Sequence, residues 1–169
     1  MPGLILLLLA LGALFLWFGR RQAARLGLPA GRVVSIDTSG FTRPERPLYD
    51  RDLDLLGRPD YLVETPNGPV PVEVKSGSAP SAPYESHVLQ LAAYCRLAEV
   101  SRGKRPAHGI LKYGDRTFAV DYTLGLENAL LDLVAEMRRA EGGAPDRSHD
   151  SPQRCRGCGY REVCDQRLA

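Results

Sequence analysis

Two β-rich runs, DYLVE over 60–64 and PVPVEVK over 69–75, flank Pro66, Asn67 and Gly68. An Asn-Gly step between such runs favours a tight hairpin, so this stretch predicts a pair of antiparallel strands. Alternation then puts Val70, Val72 and Val74 on one face of the second strand and Pro71, Glu73 and Lys75 on the other. After a breaker-rich loop, SGSAPSAP, the segment SHVLQLAAYCRLAEVSR carries Val88, Leu91, Ala92, Cys95, Leu97 and Ala98 at helical spacing. HGILKY (108–113) and RTFAVDY (116–122), separated by Gly114 and Asp115, predict a second hairpin. Thr123 then caps a helix whose apolar face is Leu126, Leu130, Leu133, Val134 and Met137. Ahead of all this, RVVSID from Arg32 is a candidate strand, and 40–58 is a connection rich in Pro, Arg and Asp. Seventeen Gly and 13 Pro in 169 residues exclude a long coiled coil or an all-helical bundle. One domain of mixed α and β structure is expected.

Lys and Arg number 22 against 20 Asp and Glu, a formal charge of +2, so any nucleic-acid surface must be local rather than spread over the whole protein. Candidates for a phosphate-binding rim are Arg20, Arg21 and Arg25 near the N-terminus and Arg154, Arg156, Arg161 and Arg167 in the tail.

From Leu4 to Phe18 every residue is apolar or Gly, and the run closes on Gly19, Arg20 and Arg21. Residues 2–18 make about 25 Å of helix, short against a hydrocarbon core of about 30 Å. No positive charge precedes the run and no good small-x-small cleavage site follows it, so an uncleaved anchor is expected over 1–21 rather than a signal peptide. The arginines after the run place the remainder on the cytoplasmic side. A buried hydrophobic helix is the competing reading. The expected organisation is an anchor over 1–21, a linker over 22–31, a catalytic-type domain over 32–145 and a cysteine-rich tail over 146–169.

If the first hairpin pairs as expected, Asp60 and Glu73 come from neighbouring strands and can converge on one divalent cation, with Lys75 beside them. Oxygen donors of this kind suit Mg²⁺ or Mn²⁺. A cation there, with a lysine near it, is what phosphodiester hydrolysis requires. Taken alone, E-V-K on a strand is more often a solvated charged face. Asp50, Asp52 and Asp54 are spare carboxylates upstream, expected on a solvated strand edge or loop.

The segments GRPD (57–60), PVEVKSG (71–77) and HVLQLAAYC (87–95) occur in an order that resembles the PD-(D/E)XK nuclease superfamily. The match is to its RecB-like branch, which includes CRISPR-associated RecB-like exonucleases. The resemblance implies a restriction-endonuclease-like fold, a mixed sheet flanked by helices. It implies that Asp60 and Glu73 bind the metal, that Val74 offers its backbone carbonyl and that Lys75 is catalytic. Gln90 and Tyr94 match the branch's Q-x-x-x-Y helix and at i and i+4 share one face, which His87 extends. The branch often adds a metal-binding His from an N-terminal helix, whereas the first histidine here is His87.

Cys155, Cys158 and Cys164 give C-x2-C-x5-C in a polar tail, a pattern that reads as a metal or cluster site. The tail resembles the C-terminal part of the iron-sulfur site of the same exonucleases, which implies a [4Fe-4S] cluster. The family's fourth, N-terminal cysteine is missing. His149 and Cys95 are the available substitutes, with His149 favoured, and a Cys3His set equally suits structural Zn²⁺. The expected function is therefore a membrane-anchored, metal-dependent DNA nuclease, exonucleolytic by resemblance. The alternative is a catalytically silent scaffold that keeps the fold and the cysteine staple and binds nucleic acid or a partner protein at the membrane.

Overall fold

The structure is a computed structural model that describes residues 31–34, 40–140, 147 and 149–168. The apolar N-terminal run lies outside these, and among the described residues no helix is long and apolar enough to cross a membrane. The chain forms two compact units, with the boundary after Val134.

The first unit holds a five-stranded sheet. Its strands are β1 (Arg32–Val33), β4 (Tyr61–Thr65), β5 (Gly68–Val74), β6 (His108–Lys112) and β7 (Thr117–Asp121), in the order β1-β7-β6-β5-β4. β4 and β5 form the expected hairpin, in the register Thr65↔Gly68 to Tyr61↔Val72. Its turn is Pro66-Asn67, closed by the Thr65 hydroxyl, which donates to the Gly68 carbonyl at 2.7 Å and accepts from the Asn67 amide at 3.2 Å. Gly68 takes φ +122°, a conformation that L side chains rarely adopt. β6 and β7 form the second hairpin. Between the hairpins the helix α1 (Glu85–Arg102) crosses over, so β5 and β6 run parallel, the one parallel pair in an otherwise antiparallel sheet.

Helices α1 and α2 (Leu124–Arg139) are amphipathic, and their apolar residues cover the sheet face that carries Leu111, Tyr113, Phe118 and Val120. Thr123 caps α2 as expected, its hydroxyl accepting from the Leu126 amide at 3.1 Å. The apolar stripe of α2 is narrower than the sequence predicts, since Met137 is exposed. Helix and sheet approach so closely that a Cβ on Gly109 would lie 2.7 Å from Leu91. The opposite sheet face carries Val70, Val72, Ile110 and Ala119 with partly covered Val34, Phe41, Tyr61 and Val63, and an apolar groove of about 630 Å³ runs over it.

Residues 40–58, expected as an irregular connection with solvated acids, contain a two-stranded hairpin of β2 (Leu48–Asp50) and β3 (Leu55–Gly57). Asp50 is not solvated, with only 1% of its surface exposed. Its carboxylate accepts from the Asp52 and Leu53 amides and from Arg96 Nε of α1 at 2.7 Å. Burial raises the Asp50 pKa, but Arg96 and the two amides outweigh it and hold the carboxyl below the usual range. The alternating acids concealed this, because the arginine that pairs with Asp50 is 46 residues away. Arg96 also reaches Glu127, which pairs with Arg105, so one chain of charges ties the β2–β3 hairpin, α1 and α2 together.

Arg96→Ala leaves the buried Asp50 carboxylate without its cation and is expected to cost about 3 kcal/mol, comparable to breaking other buried pairs. The Asp50→Ala/Arg96→Ala double variant should regain part of that loss in urea denaturation. No recovery would show that the pair contributes through packing rather than charge.

Candidate active site

The register of the first hairpin decides the geometry. One step beyond Tyr61↔Val72, Asp60 stands opposite Glu73, and opposed residues in an antiparallel pair share a face with Cβ atoms about 5 Å apart. Pro59 is buried, which holds the chain as it enters β4. The Val74 amide donates to Asp60 Oδ2 at 2.8 Å and fixes that carboxylate at the end of the hairpin. Glu73 pairs with Leu111 in the parallel ladder and faces the α1 side of the sheet, as the alternation predicts.

There Glu73 meets α1. Its Oε1 accepts from Lys75 Nζ at 3.0 Å and from Gln90 Nε2 at 2.9 Å. Lys75 Nζ also donates to Gln90 Oε1 at 2.6 Å, and Gln90 Nε2 donates to the Tyr94 hydroxyl at 2.9 Å. The carboxamide of Gln90 therefore bridges base and acid: its oxygen holds the ammonium, and its nitrogen holds the carboxylate and the phenol. The structure thus brings together Asp60, Glu73, Val74, Lys75, Gln90 and Tyr94 in one cluster at the end of the sheet, with α1 over it.

The electrostatics of the cluster are strained by one feature. Burial pushes the Glu73 carboxyl up; Lys75 pulls it down; the neighbouring Asp60 carboxyl pushes it up again, and the net position lies above the usual range. A carboxyl only 8% exposed, whose ionisation is made costlier by burial and by a second carboxyl beside it, favours a bound cation. All the donors are hard oxygens, and two carboxylates are enough for Mg²⁺ or Mn²⁺, which keep several waters. Tyr94 is pushed up by burial and by Glu73 and Asp60, so its phenol stays protonated.

His87 lies one turn before Gln90 on the same helix. Its Nδ1 is 2.7 Å from the Tyr113 hydroxyl. Burial, and then the charge of Lys75, lower its pKa, so the ring is neutral near pH 7. Tyr113 is a partner that sequence reading did not single out. A signal was present, since Tyr113 follows Leu111 on the helix-covered face of the β6 run.

In the second unit the tail residues share one cavity of about 310 Å³, lined by His149, Cys155, Cys158, Cys164 and arginines including Arg147 and Arg161. Ser151 caps the short helix α3 (Pro152–Arg156), which presents the buried Cys155. Cys155 Sγ accepts from the Leu168 amide at 3.5 Å, and His149 Nδ1 accepts from the Ser151 amide at 3.2 Å, which directs any ligation to Nε2. Arg147 closes the loop through Gln166 and Asp150, an anchoring role that the sequence did not reveal. Among the described residues, however, no three His, Cys, Asp or Glu side chains are gathered tightly enough to hold one ion. Cys95 is 1% exposed in the core of the first unit, and burial pushes its thiol far above the usual range, so it behaves as a small hydrophobe.

Because the folded Glu73 pKa lies above its unfolded value, its protonated form stabilises the metal-free fold at low pH. That stability is lost as pH rises from about 4.3. Glu73→Gln should flatten this decline, so that in chelator the variant's urea midpoint gains on wild type between pH 4 and pH 7. Parallel pH profiles for the two proteins would contradict it.

The sequence model of the PD-(D/E)XK nuclease superfamily matches residues 7–165. No curated protein matches the chain. Among solved structures, the crystal structure of SSO0001 is similar at 17% identity, with a TM-score of 0.45 over 94% of this chain and 70% of that one. Since the family model covers residues 7–165, the chain belongs to the PD-(D/E)XK nuclease superfamily.

Proposed function

We propose that the protein is a Mg²⁺- or Mn²⁺-dependent DNA nuclease, exonucleolytic, with Asp60 and Glu73 as metal ligands and Lys75 as the catalytic, charge-offsetting cation. The carrying observation is the meeting of the Asp60 and Glu73 carboxyls beside an ammonium held by both Glu73 and Gln90. A divalent ion bound there would polarise a phosphoryl oxygen and lower the pKa of a bound water. Lys75, with its ammonium aimed by two acceptors, is placed to hold the attacking water and to offset charge that develops on the phosphate. Gln90 orients Lys75, and Tyr94 in turn orients Gln90. The Val74 amide keeps Asp60 in place, and the carbonyl of the same residue is the third ligand in this reading.

Two further parts of the reading rest on sequence. The apolar run over 4–18 tethers the enzyme to a membrane with the nuclease domain on the cytoplasmic side. The tail binds a [4Fe-4S] cluster through Cys155, Cys158, Cys164 and His149, with structural Zn²⁺ as the alternative. The shared cavity and the amide donated to Cys155 Sγ support a thiolate site, since a hydrogen bond of that kind stabilises a ligating sulfur. A tail with little buried surface gains its order from such a staple.

Purified protein is expected to degrade DNA with Mn²⁺ or Mg²⁺ and to be inactive in chelator. Glu73→Ala and Lys75→Ala should each reduce the rate by at least about a hundredfold, the scale of a lost electrostatic or acid-base group. Full activity in both variants would remove the site from this reading. Anaerobically purified protein should absorb near 400 nm and contain iron, and Cys158→Ser should abolish that absorption; stoichiometric zinc without iron would decide for the other cofactor.

A further inference from the structure

An aromatic side chain at the rim of the cluster has no role in the chemistry described above. Tyr84 is the N-cap residue of α1, yet its side chain makes no capping hydrogen bond. It is 58% exposed. The His87 ring meets it edge-on, with centroids 5.3 Å apart. The Tyr113 ring lies 5.8 Å beyond His87 and packs edge-on against the buried Phe118 at the same distance. Tyr113 also receives a backbone hydrogen bond from Tyr84, while its hydroxyl meets His87 Nδ1. Four rings therefore run from the core to the surface, and the last is exposed.

The position of this stack is fixed by α1. His87 is three residues, about one helical turn, before Gln90, which holds Lys75 and Glu73. The Lys75 charge is felt at His87. The exposed ring of Tyr84 stands six residues before Gln90, about 9 Å along the helix, on the scale of one nucleotide step from the atoms that would act on a phosphate.

We propose that Tyr84 is a substrate-positioning residue: its ring, braced by His87 and Tyr113, seats a nucleobase next to the scissile phosphate and sets that phosphate over Asp60 and Glu73. This rests on the nuclease reading of the same cluster. An aromatic face accepts any base, so the seat confers position without sequence preference. It is available only to an unpaired nucleotide, because a base inside a duplex has both faces covered.

The test is an abasic scan. A set of single-stranded oligonucleotides, each with one abasic position, is given to the full-length protein with Mn²⁺, and binding to the same set is followed by fluorescence anisotropy in chelator. Wild type should lose about tenfold in kcat/KM, and comparably in affinity, when the abasic position falls at one particular nucleotide beside the cleaved bond. Tyr84→Ala should show that loss on the intact strand and no further loss on the abasic one. Tyr84→Phe and Tyr84→Trp should behave as wild type. A flat scan in wild type, or an unchanged scan in Tyr84→Ala, overturns the proposal. If nothing is cleaved but the binding scan still depends on Tyr84, the nuclease reading fails while the base seat stands; a binding scan indifferent to Tyr84 refutes the seat whether or not cleavage occurs.

Discussion

Two carboxylates held against each other on adjacent strands are an unfavourable arrangement, and much of this fold is disposed around them. Asp60 and Glu73 face each other because a two-residue turn sets the β4–β5 register, and a slip of one residue would turn Glu73 to the other face of the sheet. The helix crossover then brings Gln90 over that pair, so that one carboxamide serves the ammonium and the acid at once. Burial, which raises the cost of ionising Glu73, is the condition under which a divalent ion binds strongly between such groups. In the proposed reading, stability is given up locally at this site for chemistry.

What holds α1 in place against that local cost lies on its other flank. The helix packs so tightly on β6 that only Gly fits at position 109, and Arg96 locks it to the buried Asp50 of the β2–β3 hairpin. The same hairpin leads through Pro59 into Asp60. A salt bridge remote from the chemistry therefore bears on two walls of the site: the helix that carries Gln90 and Tyr94, and the strand entry that carries Asp60. The groove on the uncovered face of the sheet belongs to the side away from these residues, since Val70 and Val72 alternate with Glu73 along β5.

The cysteine tail follows a different logic. It has few buried side chains, and its order comes from Arg147 and from short turns that run from Cys155 to Cys158 and Arg161. Its thiols and His149 border one cavity, but among the described residues they do not converge into a group that could hold a metal ion.

The sequence by itself determined the hairpins, both main helices and the buried positions of α1, because these rest on local turn chemistry and on periodicities of two and 3.6. It also determined that Glu73 and Lys75 share a face and that Gln90 and Tyr94 share another. Only the tertiary structure decided that those two faces meet, that Asp50 is buried rather than solvated, that 40–58 contains a hairpin, and that Tyr113 braces His87. Each of these depends on a partner 15 to 46 residues away or on a short strand pair, and no periodicity in a single segment encodes a partner in another. Local pattern fixes which way a side chain points; the crossing of helix over sheet fixes what it finds there.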